Sequence, residues 1–210
     1  MRVDKQNREF EQRERDIVNA AMEMFKQGDI ASVSIAQIAT AADIGKGTIY
    51  KHFRSKEEIY ACIVLNINKE LRVALEQVDT ALVFQQRLGE YLQIIWDAEM
   101  RDANFLRRVS LQMLNNNFLQ KLGKPMLHQF DQGIKETEAL YLKLLEQAQV
   151  DGEIVSEPLD QLYFCISAAF DGAVLGVWQR REMGADISQM EKETIVQLKK
   201  FIIRAICLKQ

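Results

Sequence analysis

The sequence predicts an all-α protein, and two observations lead to that fold class. Apolar residues recur at intervals of three and four, the period of an amphipathic helix, and the alternation typical of strands is missing. Pro125 and Pro158 are the only prolines in 210 residues, and each precedes a long helical pattern, where the first turn accepts proline. We therefore expect a chain of about nine helices.

Start and stop signals divide the chain into these helices. The first helix carries an apolar stripe and ends at Gly28–Asp29. Ser34 caps the second, with Gln37 three residues on in capping-box spacing. Ser55 caps the fourth, whose first turn carries acids that the helix dipole favours. The predicted ranges are 7–27, 34–41, 46–52, 55–78, 81–101, 103–119, 125–149, 159–182 and 188–207.

Composition places the chain among soluble globular proteins. Apolar residues make up 48% of it and charged residues 27%. The longest stretch without Asp, Glu, Lys or Arg, Ile30–Ala42, has 13 residues, whereas a membrane-spanning helix needs about 20. The first 16 residues lack the apolar core of a signal peptide. We expect a cytoplasmic protein that does not enter a membrane.

Cysteine and histidine usage argues against metal or catalytic chemistry. Cys62, Cys165 and Cys207 are more than 40 residues apart, which fits packed thiols in a reducing compartment. His52 and His128 are the only histidines. No acid–base constellation or phosphate-binding loop accompanies them. The sequence therefore predicts a protein that is not an enzyme and has no catalytic residue, metal site or cofactor.

Positive charge is concentrated near the N-terminus. The whole chain has a net charge of −3, but residues 1–56 carry +2 and the remainder −5. The densest basic segment is Gly45–Lys56, which has no acid and holds Lys46, Lys51, Arg54, Lys56 and His52. A basic segment of this kind on a short helix suits the negatively charged major groove of DNA.

Residues 34–53 have the spacing of a helix-turn-helix. Ala39, Asp43 and Ile49 stand at relative positions 0, +4 and +10. A small residue at the first position lets the second helix cross closely, the second position must tolerate a positive φ, and the third anchors the second helix. Ile38 and Phe53 would contribute to a small apolar core of this helix-turn-helix. A short connector with a solvated basic face is the alternative.

A longer motif surrounds this unit. It reads Ile38-Ala39-x-x-Ala42-x-Ile44-x-x-Gly47-Thr48-Ile49-Tyr50-x-His52-Phe53-x-Ser55-Lys56-Glu57-Glu58. The motif resembles the TetR/AcrR family of bacterial transcription regulators. The resemblance implies a three-helix DNA-binding domain at 1–54, joined by the fourth helix to an effector-binding and dimerisation domain at 55–210.

The resemblance also implies residue roles in DNA binding. Lys46, Thr48 and Lys51 would face the operator, Lys46 and Thr48 mainly towards bases. Tyr50, His52 and Lys56 would clamp phosphates, and Gln37 would lie near the DNA. The sequence departs from the family pattern at Asp43, where Gly is usual, at Gly45, where Ser or Thr is common, and at Ala36, where some members carry a base-reading Arg.

A dimer on a two-fold operator is the expected assembly, because one recognition helix reads too few bases. The predicted helix at 159–182 has a face of small residues, and the one at 188–207 has an apolar stripe. The candidate interface residues are Ala168, Ala169, Gly172, Ala173, Gly176, Leu198, Phe201 and Ile202. The resemblance implies a four-helix interface of two subunits; packing of both stripes inside one subunit is the alternative.

Large apolar residues in the middle helices fit either a plain core or a cavity that adapts to a ligand. The resemblance implies an effector pocket there. The candidate contacts are Trp96, Met100, Phe105, Gln112, Met113, Phe130, Tyr141 and Asp171, with Glu99, Asn116 and His128 as further polar candidates. Asp171 stands in the least polar helix, where a carboxylate needs a partner, either a ligand cation or a donor of the protein itself.

These features together predict a ligand-responsive transcription regulator. It would be a repressor released from a palindromic operator by a small lipophilic ligand. Its partners would be double-stranded operator DNA, that ligand and a second copy of the chain. A DNA-bound dimer that acts through a protein partner, without a small-molecule effector, is the alternative.

Overall fold

The protein is all-α in the part of the chain that its computed structural model describes, residues 2–27, 30–101 and 116–208. Those residues form nine helices and no strand. The helices are α1 (Arg2–Gln27), α2 (Ile35–Ala41), α3 (Lys46–His52), α4 (Lys56–Glu76), α5 (Phe84–Arg101), α6 (Asn116–Gln120), α7 (Lys124–Val150), α8 (Leu159–Glu182) and α9 (Ser188–Ile206).

Helix boundaries follow the sequence signals closely. The last two helices begin where they were predicted, after Pro158 and after the turn at Gly184, which has a φ of 77°. The largest difference is at the N-terminus, because α1 begins at Arg2 and not at residue 7. Of the predicted helix over 103–119, only the part from residue 116 lies within the described residues, where α6 ends at Gln120.

Contacts divide the described residues into two compact units. The first unit contains residues 2–68 and 116–133, and the second contains residues 69–101 and 134–208. This division by packing differs from the predicted domain boundary between residues 54 and 55, which concerns the DNA-binding segment and stays a prediction. The helix-turn-helix therefore shares its compact unit with residues from the middle of the chain.

The first unit has its own apolar core. Ile17, Ile38 and Ile49 are completely buried, so α1, α2 and α3 each contribute a side chain to it. The ring of Tyr60 in α4 meets Phe25 edge-on at 5.3 Å and Phe118 at 5.6 Å. A fully buried side chain of this size stabilises a fold by roughly 1.5–3 kcal/mol. This core holds the short α2 and α3, which have too few residues to be stable helices alone.

The second unit is built on α5, α8 and α9. α9 packs against both α5 and α8. Trp96 of α5 and Phe170 of α8 meet edge-on with 6.1 Å between ring centroids. An isolated antiparallel bridge between Ile154 and Cys207 ties the end of α9 to the segment before α8. The three helices thus pack against one another.

One helix of the described chain, α8, is long and apolar enough to cross a membrane by length and composition alone. About a third of its most apolar stretch (33%) is buried inside the protein. A single such helix is weak evidence, because core helices of soluble proteins have the same composition.

Candidate functional site

The turn between α2 and α3 has the geometry that the spacing predicts. Asp43 adopts a φ of 53°, the left-handed conformation that the turn requires. Ala39 is 3% exposed, and its carbonyl accepts a hydrogen bond from the backbone N–H of Ile44 at 2.9 Å. Ile49 is completely buried and anchors α3. Asp tolerates this conformation better than most residues, so Asp43 replaces the usual Gly without changing the turn.

A complete capping box begins α2. The Ser34 hydroxyl oxygen accepts from the backbone N–H of Gln37 at 3.3 Å, and the Gln37 side-chain oxygen accepts from the backbone N–H of Ser34 at 2.9 Å. The Ser34 hydroxyl also donates to that oxygen at 2.7 Å. Gln37 is exposed, and these bonds fix its orientation. Its amide group keeps donors for a partner outside the chain.

Three of the predicted DNA contacts form one exposed set on α3. Lys46, Tyr50 and Lys51 are exposed, Tyr50 by 57%, and Thr48 is half-buried. Because Ile49 is anchored in the core, its neighbours on the helix point away from the core. Lys46 and Tyr50 are four residues apart and lie on one face of the helix. The short helix therefore presents two ammonium groups and a phenol to solvent.

His52 does not belong to this exposed set. Its side chain is only 5% exposed, and its ring stacks on Phe10 of α1 with 4.0 Å between centroids and 32° between planes. Nδ1 of His52 lies 3.6 Å from a carboxylate oxygen of Glu14 and has no hydrogen-bond partner. This packing gives His52 a role inside the chain, since it joins the first half of α1 to the end of α3. The phosphate contact that the resemblance implied stays a prediction.

Lys56 also has partners inside the chain. Its ammonium group donates to the carbonyl oxygens of Ala31 at 3.1 Å and Val33 at 3.0 Å. These bonds connect the start of α4 to the loop that leads into α2. An ammonium group has three donors, so one remains for a phosphate. The predicted phosphate contact of Lys56 is compatible with this geometry but cannot be its whole role.

Sequence reasoning assigned Glu57 and Glu58 only to the helix dipole and missed their partners. The Glu58 carboxylate accepts from the backbone N–H groups of Arg54 at 2.8 Å and Gly123 at 3.2 Å. The Glu57 carboxylate pairs with Lys121 at 2.9 Å. Burial alone would raise the pKa of Glu57, but the hydrogen bond from Lys121 and others lower it below its ordinary value. These residues join the start of α4 to the segment between α6 and α7, 65 positions away.

The predicted effector contacts are divided between the two units. Trp96, Met100 and Tyr141 are buried in the second unit, whereas Phe130 lies in the core of the first. Asp171 is exposed on α8, and His128 is exposed on α7. Phe105, Gln112 and Met113 lie outside the described residues, as does the side chain of Asn116. Phe130 belongs to the core that supports the helix-turn-helix, and the effector pocket itself stays a prediction.

Several buried polar atoms of the second unit have no hydrogen-bond partner. They are Nε of Arg87, Oε2 of Glu99, the hydroxyl of Tyr141 and Nε1 of Trp178. Burial, and then the negative charge of Asp171, raise the pKa of Glu99 from 4.5 to about 7. A buried polar group without a partner costs about 1–3 kcal/mol, so such atoms favour a bound molecule that satisfies them.

The predicted dimer residues do not all face outward. Ala168 and Gly172 of α8 and Phe201 of α9 are exposed, Phe201 by 65%. Ala169, Ala173 and Gly176 are half-buried. Leu198 and Ile202 are 9% and 3% exposed, and they lie on the side of α9 that packs inside the subunit. The sequence pattern did not single out Leu175 and Val196, which are exposed on the same two helices.

Within the described ranges, no group of three or more His, Cys, Asp or Glu side chains is placed to hold a metal ion. Cys62 is half-buried, and burial raises the pKa of its thiol to about 11, which disfavours the reactive thiolate.

Comparison with known proteins agrees with the helix-turn-helix. Residues 17–63 match the family model described as bacterial regulatory proteins, tetR family. The matched range contains α2, α3 and the start of α4. The first 16 residues, which include Phe10 and Glu14, lie before it.

Two relatives are transcriptional regulators. The chain is 24% identical over 179 residues to the HTH-type transcriptional repressor BepR of Brucella suis, which covers 81% of this chain and 82% of BepR. It is 32% identical over 81 residues to the uncharacterized HTH-type transcriptional regulator YhgD of Bacillus subtilis. That second match spans 38% of this chain and less than half, 42%, of YhgD.

Solved structures show the same fold. The fatty acid degradation regulator FadR from Bacillus halodurans superposes with a TM-score of 0.67 at 18% identity, over 88% of this chain and 93% of that one. At this identity the likeness concerns the fold alone.

Proposed function

We propose that this chain, which belongs to the TetR/AcrR family of bacterial regulators, is a homodimeric repressor that a small lipophilic ligand releases from a palindromic operator. In this proposal it acts on DNA in the cytoplasm and catalyses no reaction. The observation that carries the proposal is the exposed set on α3, Lys46, Tyr50 and Lys51, presented by a complete helix-turn-helix.

The chemistry of this set suits a major groove. The ammonium group of Lys46 can donate to guanine O6 or N7, and the methyl group of Thr48 can pack on a thymine methyl. Tyr50 and Lys51 are donors for phosphate oxygens, and Lys56 has one ammonium donor left for another. Each good base contact discriminates by about 1–3 kcal/mol, whereas phosphate contacts give affinity on every sequence.

Two glycines at the start of α3 support a close partner. Gly45 has a φ of −77°, and neither it nor Gly47 has a positive φ, so no backbone conformation requires Gly. Among the described residues, a Cβ atom on either would meet nothing within 4 Å beyond its chain neighbours and its own helix. Neither conformation nor packing inside the chain requires Gly here, and the open space suits the close approach of a DNA backbone.

A second copy of the chain fits the outward faces of α8 and α9. Ala168 and Gly172 leave room for a helix to approach, and Leu175, Val196 and Phe201 are apolar and exposed by 43%, 47% and 65%. Apolar side chains exposed to this degree on two helices are typical of an interaction surface. Pairing through these faces would give two recognition helices related by a two-fold axis.

The second unit supplies the conditions for an effector. Trp96, Met100 and Tyr141 give an apolar environment, and Glu99 and Tyr141 have buried polar atoms without partners. A ligand that binds better to one arrangement of the helices shifts the population towards it. We infer that the pairs Glu57–Lys121 and Glu58–Gly123 pass such a shift from α7 to the start of α4.

Selection of bound fragments from the source genome tests the proposal. We expect enrichment of a site with two-fold symmetry, its half-sites about 34–36 Å apart or a multiple of that. Lys46→Ala should relax base preference at one position in each half-site. Lys143→Ala removes the same charge from an exposed position on α7 and should leave the preference unchanged. Absence of any enriched symmetric site would contradict the proposal.

A further inference from the structure

The side-chain amide of Gln37 on α2 has an orientation that the chain itself determines. Its oxygen, Oε1, accepts a hydrogen bond from the backbone N–H of Ser34 at 2.9 Å and another from the Ser34 hydroxyl at 2.7 Å. A backbone N–H group can only donate, so the amide atom that faces it must be the oxygen and not the nitrogen. The hydrogen bonds therefore distinguish the two ends of an amide that have almost the same shape.

Both acceptor positions of this oxygen are occupied. An amide oxygen has two lone pairs, and Ser34 fills one from its main chain and the other from its side chain. The amide nitrogen, Nε2, keeps two N–H donors, and α2 contains no carboxylate that could accept from them. Towards a partner outside the chain, Gln37 is therefore a donor and not an acceptor.

The position of Gln37 gives these donors access to a partner. Gln37 is exposed, whereas the next residue of α2, Ile38, is completely buried. The ammonium group of Lys56 donates to the carbonyl oxygen of Val33, which directly precedes Ser34. Two of the predicted DNA contacts, Gln37 and Lys56, are thus attached to adjacent residues of one short segment.

An amide that can only donate distinguishes bases differently from a free one. A free Gln binds adenine through two hydrogen bonds, one accepted from N6 and one donated to N7. The first of these bonds needs the amide oxygen and is lost when that oxygen is occupied. Guanine presents two acceptors, O6 and N7, whereas adenine and thymine present one each and cytosine presents a donor, its N4 amino group. A donor-only amide therefore favours guanine and disfavours cytosine.

We propose that Ser34 is a positioning residue for base recognition, which makes Gln37 a donor that recognises guanine at one position in each half-site. The inference rests on the proposed function, since it concerns the operator of the repressor. Ser34 contacts no base in this mechanism. It acts by filling both lone pairs of the Gln37 oxygen, so that the two-bond contact with adenine is not available.

Selection from duplexes with a randomised centre tests recognition by Gln37. Gln37→Glu keeps an oxygen for the backbone N–H of Ser34, as in other capping boxes, but has no donor. Because a carboxylate accepts from the N4 amino group of cytosine, we expect the preference at one position of each half-site to change from guanine to cytosine, by at least about fivefold. Equal weakening on all sequences would mean that Gln37 donates to a phosphate, and would overturn the proposal.

A second acidic variant is the control for charge. Thr40→Glu adds one negative charge at an exposed position of α2, one turn after Gln37, and leaves the capping box in place. It should weaken binding to DNA without the change from guanine to cytosine at the position that Gln37 recognises. The same change of base in Thr40→Glu and Gln37→Glu would show an effect of charge alone and refute the contact.

Substitutions of Ser34 separate positioning from capping. Ser34→Gly keeps the backbone N–H and is well tolerated as an N-cap, but it removes the hydroxyl and frees one lone pair of the Gln37 oxygen. We expect adenine to be selected at the same position to within about twofold of guanine. Ser34→Thr keeps a hydroxyl and should retain the preference of the parent. An unchanged preference for guanine in Ser34→Gly would overturn the positioning role.

Selection with the parent protein separates this inference from the proposed function. A symmetric site whose base preference does not depend on Gln37 refutes the inference and leaves the repressor proposal standing. Absence of any symmetric site refutes the repressor proposal, and the inference fails with it. Circular dichroism of each variant checks that its helices are intact before selection.

Discussion

The ring of Phe10 stacks on the imidazole of His52, with 4.0 Å between their centroids. Phe10 is in the part of α1 that precedes the family match, and His52 is the last residue of α3. The contact therefore ties the part of α1 before the family match to the end of α3. It also removes His52 from solvent, since only 5% of its side chain is exposed.

We predict that His52 acts on DNA binding through packing and not through a phosphate. His52→Phe keeps an aromatic ring on Phe10 and should leave operator affinity within about twofold, whereas His52→Ala should lower the free energy of unfolding by about 1–2 kcal/mol. Urea unfolding and a fluorescence binding assay measure these. A His52→Phe variant that is as stable as the parent and loses DNA affinity would restore the phosphate role.

Alanine substitutions of Lys51 and Lys56 should separate electrostatic effects on DNA binding from effects on the stability of the fold. Lys51 is exposed, so Lys51→Ala should weaken binding on all sequences and reduce the salt slope by about 1, with stability unchanged. Lys56→Ala also breaks bonds to Ala31 and Val33, and should lower the free energy of unfolding by about 1–3 kcal/mol. Salt titrations and urea unfolding of both variants check this. If Lys56→Ala leaves the free energy of unfolding unchanged, the hydrogen bonds from Lys56 to the loop do not contribute to stability.

Local features of the sequence were sufficient to predict the helix-turn-helix. The cap at Ser34, the turn at Asp43 and the anchor at Ile49 each depend on neighbours within a few residues, and the structure confirms all three. The helix bounds depend on similar local signals. Once Ile49 fixes the orientation of α3, the sequence is sufficient to predict which of its side chains are exposed.

Long-range partners were not predictable in this way. Nothing in the run around His52 indicates that Phe10, 42 positions earlier, will cover it. The same holds for Lys121, which is 64 positions from Glu57. The apolar stripe of α9 is a related case, because periodicity identifies a buried face but not whether its partner is the same subunit. Leu198 and Ile202 face inward, and Phe201 between them faces out.

The proposed dimer depends on the outward face of α9. Phe201→Glu places a charge where an apolar ring, 65% exposed in the subunit, would be covered by the second copy. We expect it to raise the dimer dissociation constant at least about 100-fold, because an unpaired charge in an interface costs several kcal/mol. Sedimentation velocity measures this. Lys143→Glu, at an exposed position on α7, is the control, and similar dissociation of both variants would argue against this interface.

Gly123 should be sensitive to a single added carbon. A Cβ atom there would lie 2.9 Å from a carboxylate oxygen of Glu58 and 3.0 Å from Nη1 of Arg54. Gly123→Ala should therefore displace the Glu58 carboxylate from its two backbone donors and cost about 1–2 kcal/mol. Gly89→Ala meets nothing within 4 Å inside α5 and should stabilise by about 0.5–1 kcal/mol. Thermal unfolding of both variants tests this difference in stability. A gain of stability in Gly123→Ala as well as in Gly89→Ala would contradict the prediction.

Glu99 should make stability fall as the pH rises. Burial, and then the charge of Asp171, raise its pKa from 4.5 to about 7. At pH values between these two, the folded protein keeps a proton on Glu99 that the unfolded chain has lost. The contribution is fully present below pH 4.5 and disappears as the pH rises through about 7, a loss of up to about 3 kcal/mol. Glu99→Gln cannot ionise and should flatten this part of the stability profile. Glu90→Gln, exposed on the same helix, should leave it in place. Urea unfolding at intervals from about pH 5 to 8 measures the slope, and identical slopes in the parent and Glu99→Gln would mean that Glu99 ionises normally in the folded protein.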